Sequence, residues 1–369
     1  MLRLFDYDKD CFAQARELRL AFSNKEKISR IPFDFLTENA PVRWNMDEKC
    51  EDSEKAVEQF LFEEEHFLNS FPEGSHIPVF DLAYLGEGVI PSMFGAVQML
   101  DKFNPPFTEG RLMQDLETDL PKLKRQIDPE NDGWGPRVRE AVERFVDVTG
   151  GVFQVSNVDI QSTYGVATKL IDNETLMLAM YDTPELVHEL FEICTDAIIN
   201  TTNHVIKWAG GRQNVALNVR EPYGNFGISM YDDYVSVINP ALSESFCLKY
   251  NRRVFEAFGD GHYHTCGPYF PNYLPVVLEN KPRIMDVISM RAPLQKTRED
   301  MLELKRFCDA DGIALYGDLT AYPVGQYSFD SHVLPDRDFV LDMCGGGRTI
   351  WKAAGSVEQG KKWLSMCDI

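Results

Sequence analysis

The sequence predicts a parallel α/β fold, laid out as a single (β/α)8 TIM barrel over residues 75–369 with a helical extension over residues 1–74 packed on it. Three observations predict it. Short β-branched or apolar runs alternate with stretches of helical periodicity, without a hairpin-rich zone, which is the pattern of repeated βα units. The length of 369 residues is long for an ordinary domain but suits one barrel, which takes about 250 residues plus insertions. Polar side chains recur just after the apolar runs, and a barrel keeps its site at that end of its strands. An open doubly wound sheet fits the same alternation, so the residues alone leave both architectures open.

Taken in order, residues 1–30 mix apolar and charged side chains at helical spacing and begin the extension. Residues 31–33 and 41–44 read as short extended pieces or loop, each containing a proline. A glutamate-rich helix over residues 53–68 follows, with Ser53 as its expected cap. Residues 75–82 form the first buried strand, which delivers Asp81 to its C-terminal end ahead of Gly86, Gly88 and Gly95. Asp81 is thus a candidate pocket carboxylate, the alternative being a cap on a helix or turn. Charge dominates residues 116–130, and the helix over 136–148 turns Val138, Val142, Phe145 and Val146 to one face.

The run 152–158 is a strand, and the polar loop after it holds Ser162, Thr163, Tyr164 and Gly165. A helix over 184–209 stops at Gly210-Gly211, and the strand over 214–221 brings Arg220 and Glu221 out at its end. One or two helices broken at Pro240 fill residues 231–258. The rest alternates strand 262–266, helix 274–279, strand 284–290, helix 296–309, strand 313–318, a strand closing at Cys344 and a helix over 357–365.

Composition narrows the function. A formal net charge of −21 repels a phosphate backbone, and no dense Lys/Arg stripe overcomes it locally, so nucleic acid is not the expected partner. With 44% hydrophobic and 26% charged residues, and no run near the roughly 20 apolar residues that span a bilayer, a soluble protein is expected. The start lacks the basic-then-apolar plan of a secretory signal, and the eight cysteines are too scattered for a disulfide scaffold. A cytoplasmic protein with reduced thiols follows.

The most telling stretch is Gly261-His262-Tyr263-His264-Thr265-Cys266-Gly267. Alternate residues of a strand share a face, so His262, His264 and Cys266 would point together, with Tyr263 and Thr265 pointing back. Imidazole and thiolate suit zinc, which takes four ligands, or three with one position open for chemistry. Cys344 is the candidate for a distant ligand, because the apolar run 339–343 also ends in a cysteine followed by glycines. Any one of these residues alone would read as core packing, since cysteine and histidine are often buried without function. The glycines after Cys344 lead into Arg348, and backbone N–H groups with that guanidinium would suit an anionic substrate group; a plain turn is the alternative.

With those residues in hand, the chain resembles the uroporphyrinogen decarboxylase superfamily, in particular its branch of zinc-dependent, corrinoid-linked (methylcobamide) methyltransferases. Three segments carry the resemblance: Pro78-Val79-Phe80-Asp81-Leu82, the run from Met180 through Thr183-Pro184 to Leu190, and His264-Thr265-Cys266-Gly267 with the distant Cys344. The resemblance implies a (β/α)8 barrel, Asp81 facing the active site, and zinc held by His264, Cys266 and Cys344; Asp81 and His262 are the candidate catalytic residues. Arg220, Glu221, Tyr164 and Arg348 are the expected substrate contacts. It also implies methyl transfer between a small-molecule donor or acceptor and a corrinoid carried by a partner protein, with a homodimer as one assembly open to the chain. Two departures matter. The arginine-rich signature with which true uroporphyrinogen decarboxylases grip carboxylates is missing, which turns the expectation away from porphyrinogen decarboxylation. The segment Arg283 to Met290 has no glutamate, so a fourth zinc position is left to His262, Asp286 or another residue. The competing readings are a metal-free decarboxylase or lyase of a small carboxylate that uses Asp81 on a cationic intermediate, and a non-enzymatic barrel whose zinc is closed by four protein ligands.

Overall fold

The computed structural model describes residues 2–30, 32–37, 42–74, 76–123, 126–219, 222–224, 227–265, 279, 281–286, 306–318 and 349–367. Its strands, in chain order, are β1 (Phe33–Thr37), β2 (Val79–Phe80), β3 (Val97–Met99), β4 (Phe107–Glu109), β5 (Gln154–Ser156), β6 (Val215–Ala216), β7 (Ser229–Tyr231), β8 (His262–His264), β9 (Ile284–Asp286), β10 (Ala314–Asp318) and β11 (Thr349–Gly355). Two parallel sheets carry the fold. One has the order β1-β11-β10-β9-β8-β7 and the other β2-β5-β6. They meet at β7, where Ser229 N–H donates to Leu217 C=O at 2.7 Å and Tyr231 N–H to Ile160 C=O at 2.9 Å. The described pairings thus run as an arc of parallel strands from β2 to β1, the α/β class that the sequence predicts. A pairing of β1 with β2, which would close the ring, is not among the described residues.

Five strands depart from the sequence reading. The first 74 residues are not only helical, because β1 pairs with β11 from Phe33↔Trp351 to Thr37↔Gly355 and so joins the larger sheet. The alternating Phe33-Asp34-Phe35 signal is a strand signal, but five residues behind a proline are too short to announce themselves. A small antiparallel hairpin, β3 with β4, stands in the loop after β2. Gly86 lets that loop lie flat, with φ of 76° and a position where a Cβ would fall 2.1 Å from the Pro106 carbonyl oxygen. β7 lies just ahead of the helical stretch expected over residues 231–258 and shares only Tyr231 with it, and β11 lies beyond the predicted strand at Cys344, which is itself outside the described residues.

The helices follow their local signals. Helix Lys9–Ser23 is capped by the Asp8 carboxylate, which accepts from the N–H groups of Asp10 and Cys11. Helix Ser53–Ser70 is capped one residue earlier than expected, by Asp52. Helix Gly135–Thr149 starts on Pro136 and stops at Gly150 in the left-handed region. Helix Pro184–Trp208 covers the core with Val187, Leu190, Phe191, Cys194 and Ile198. The polar loop expected at residues 162–165 is instead the start of helix Thr163–Leu170, since the Ser162 hydroxyl accepts the Gly165 N–H. Between helix Ser53–Ser70 and β2 the Phe80 and Phe145 rings stack at 4.7 Å with Phe60 edge-on to both. Each such buried ring contributes about 1.5–3 kcal/mol, so this cluster fixes the helix against the end of β2.

Candidate active site

Where β2 ends, a cavity of about 420 Å³ opens between helix Ser53–Ser70 and the ends of the strands. Helix Ser53–Ser70 gives it Ala56, Gln59, Phe60, Glu63, Glu64 and Phe67; β2 and its flanks give His76, Ile77, Phe80, Asp81 and Tyr84. Val219 and Pro222, beyond β6, and Tyr231, at the end of β7, form the far wall. The cavity therefore lies at the C-terminal ends of parallel strands, where α/β folds place ligands.

Asp81 serves both roles that the sequence left open. Its Oδ1 accepts the Ala83 N–H at 3.0 Å, capping the 3₁₀ turn Leu82–Leu85, and the same exposed side chain lines the cavity. Ser156, on β5, steadies it: the hydroxyl lies 3.0 Å from Asp81 Oδ1 and accepts the Leu82 N–H at 2.8 Å. Close by is Asp159, whose carboxyl is pushed up to about 7, chiefly by burial. Gln161 donates to it at 2.9 Å, while the negative charges of Glu87 and Asp81 work against its ionisation and His264 favours it. Glu87 is itself paired with Lys169 at 2.5 Å. Asp159 does not itself line the cavity; it stands behind Asp81, which does.

Strand β8 behaves as its alternation requires. The His262 and His264 rings lie 6.3 Å apart between centroids, and Tyr263 points to the other side, donating to Asp232 Oδ2 at 2.6 Å. His262 is fully buried with Nδ1 3.1 Å from the Ser229 hydroxyl, which places it behind the site. The His264 side chain, 14% exposed, has Nε2 3.9 Å from Asp233 Oδ1. The Tyr231 ring links this strand to the cavity, standing 5.2 Å from His264 and 5.9 Å from His262. Behind β8, Asp232 is a buried hub that accepts from Ser162, Asn251 and Tyr263. Burial raises its carboxyl, and the three donors pull it down.

The structure brings Asp81 and His264 to one region through Tyr231 and Asp159. Tyr164 is placed elsewhere: its ring is fully buried in helix Thr163–Leu170, its hydroxyl donates to Asn173 Oδ1 at 2.6 Å, and it does not line the cavity. The expected ligands Cys266 and Cys344 and the expected substrate contacts Arg220, Glu221 and Arg348 lie outside the described residues. Their neighbours Val219 and Pro222 line the cavity. Among the described residues no group of three His, Cys, Asp or Glu side chains is placed to hold a metal ion. Of the two imidazoles, His264 stands 5.2 Å from Tyr231, which lines the cavity, and His262 is fully buried and engaged with Ser229.

The sequence reading missed Glu63, Glu64, His76 and Asp159. Glu64 Oε2 is 2.7 Å from His76 Nε2, and both side chains are largely buried. Glu63 accepts from Gln59 Nε2 at 2.6 Å, and burial raises its carboxyl. The signal was present, since Ala56, Phe60 and Phe67 share a helical stripe and the glutamates at 63 and 64 interrupt it.

No protein-family model matches the chain, and no curated protein matches it. Among solved structures it is similar to a methyltransferase from Methanosarcina mazei, with a TM-score of 0.69 and 17% identity over 96% of this chain and 98% of that one. At that identity the likeness establishes a shared fold over nearly the whole length of both chains. A Cellulomonas fimi endo-beta-1,4-mannanase double mutant aligns over 59% of this chain and 51% of its own at a TM-score of 0.31 and 12% identity, too low to bear on the architecture. Among the described residues no helix is long and apolar enough to cross a membrane.

Proposed function

We propose that this chain is a zinc-dependent methyltransferase that moves a methyl group between a small substrate and a corrinoid held by a partner protein, on a closed (β/α)8 barrel. The observation that carries the reading is strand β8, which sets His264 beside Tyr231, a residue of the cavity wall, in a chain whose fold matches that of a methyltransferase over 96% of its length. His264, Cys266 and Cys344 would hold the zinc, an imidazole and two thiolates being a donor set that suits it. Bound there, zinc supplies Lewis acidity that keeps a thiol ionised or polarises a methyl ether near neutral pH.

The chain's own residues would do the rest. Tyr231 and the aromatic wall exclude water from the substrate, which strengthens every charge interaction in the cavity. Asp81, held by Ser156 and the Ala83 N–H, orients a polar group of the substrate without having to reorganise. Asp159, its carboxyl pushed up to about 7 by burial, would serve as a proton reservoir behind Asp81 and not as a substrate contact, since it stands outside the cavity lining. His262 positions β8 from behind through Ser229. The corrinoid would be presented by a separate protein, which brings the methyl-carrying cobalt to the cavity. The reading is tested with methylcobalamin as a surrogate methyl source and a panel of small thiols and amines. Chelator treatment should abolish transfer while circular dichroism stays native, and zinc should restore it. Transfer that survives complete metal removal would refute the zinc requirement.

A further inference from the structure

The cavity wall has a chemistry that the methyl-transfer reading does not use. Its rings form a connected surface: Phe60 meets Phe80 edge-on at 5.4 Å, Phe80 meets Tyr84 at 5.7 Å, and Phe67 stands edge-on to His76 at 6.2 Å. Tyr231 closes the far side. Set among these rings are the carboxylates Glu63, Glu64 and Asp81, and among the described lining residues they face one lysine, Lys49, and one histidine, His76. Glu64 is engaged with His76, and Asp81 with Ser156 and the Ala83 N–H. Glu63 has the Gln59 amide, yet burial still raises its carboxyl against the pull of Gln59 and Lys49. An excess of carboxylate inside an aromatic wall favours a cation that is itself poorly hydrated. A strongly hydrated small cation would lose too much water there, and an anion would meet like charge.

We infer that this cavity is the anchoring subsite for an alkylated ammonium group of the substrate, seated among the rings of Phe60, Phe67, Phe80 and Tyr84 that line it, with Glu63 and Glu64 as its counter-charges. The inference deepens the proposed function and rests on it only in placing the reacting heteroatom of the same molecule toward Tyr231 and His264. The volume of about 420 Å³ admits a small molecule with such a head and a short tail. Ring faces attract the diffuse charge of an alkylated ammonium, and the buried carboxylates add a Coulomb term that a neutral isostere cannot collect.

The test uses three probes of nearly one shape and three charges: choline, 3,3-dimethylbutan-1-ol and 3,3-dimethylbutanoate, titrated into the full chain by calorimetry without corrinoid. Choline should bind at least about tenfold more tightly than the alcohol, with the carboxylate weakest. Glu63→Gln and Phe67→Leu should each weaken choline about tenfold, with Glu63→Gln leaving the alcohol unchanged. Lys49→Met removes the opposing charge and should tighten choline, a gain that no loss of folding can imitate. Equal binding of the three probes, binding of none, or tightest binding of the carboxylate overturns the inference. Because turnover is not involved, lost choline selectivity with zinc-dependent transfer intact would sink the anchor alone. Choline selectivity in a protein without zinc would sink the reaction alone.

Discussion

Asp232 and Glu63 are both acidic side chains withdrawn from water, and burial raises both carboxyls, yet their surroundings differ. Asp232 sits behind β8 and accepts from a serine, an asparagine and a tyrosine on three different elements. Glu63 sits in the cavity wall with one amide donor and the carboxylate of Glu64 as a neighbour. A buried polar group that collects its full set of donors fixes local geometry, and one left short of partners holds a cost that a ligand can relieve. The hub thus sets where β8 and its histidines stand, and the cavity sets what can come to them.

The comparison is broken most severely at the hub. Asp232→Ala strands three donors in a place without water, each worth about 1–3 kcal/mol, and should cost about 3 kcal/mol or more. Tyr263→Phe, which removes one donor and leaves two, should cost about 1–2 kcal/mol. Urea unfolding at constant slope reads both, and equal losses for the two variants would mean that Asp232 is no hub. The smallest effect is expected in the cavity and depends on pH. Folding raises the Glu63 carboxyl, so as pH climbs the unfolded chain gives up this proton first, and the folded state loses stability from the ordinary carboxylate range upward. Glu63→Gln removes that loss: its melting temperature should match wild type at pH 4 and exceed it at pH 8, where Glu64 and Lys49 are the charges that face this position and His76 pairs with Glu64 beside it. A variant less stable at pH 8 than at pH 4, relative to wild type, would show that Glu63 is paired rather than strained.

Much of the fold was legible because its signals are local. The helices Gly135–Thr149 and Pro184–Trp208 announce themselves by periodicity, a proline at the start and a glycine or alanine stop, and β5 by its β-branched run. The strands β1, β7 and β11 were not read, since each is stabilised mainly by parallel neighbours far away in the chain, and a short run carries little information about a distant partner. In the site, the alternation across His262, Tyr263 and His264 could be read from strand geometry alone, as could Asp81 at the end of β2. Spacing could not separate fully buried His262 from the partly open His264, because the pleat gives direction and not depth. Glu63 and Glu64 lay hidden in a run of three glutamates that resembles a solvated face. Only the packing of helix Ser53–Ser70 against β2 turns two of them inward. Asp159 follows a strand as the fold class asks, but its carboxyl is raised by burial first and by the charges of Glu87 and Asp81 second, surroundings that come together only in three dimensions.

The central claim is that strand β8 helps to build a zinc site at the rim of this cavity, and stoichiometric metal analysis of the purified protein tests it most directly. The account predicts about one zinc per chain, lost from the Cys266→Ser/Cys344→Ser double variant and from His264→Ala while circular dichroism stays native, and retained in His262→Ala. Carefully prepared wild type without zinc, or a double variant that keeps its full complement, would contradict it and turn attention to metal-free chemistry at Asp81.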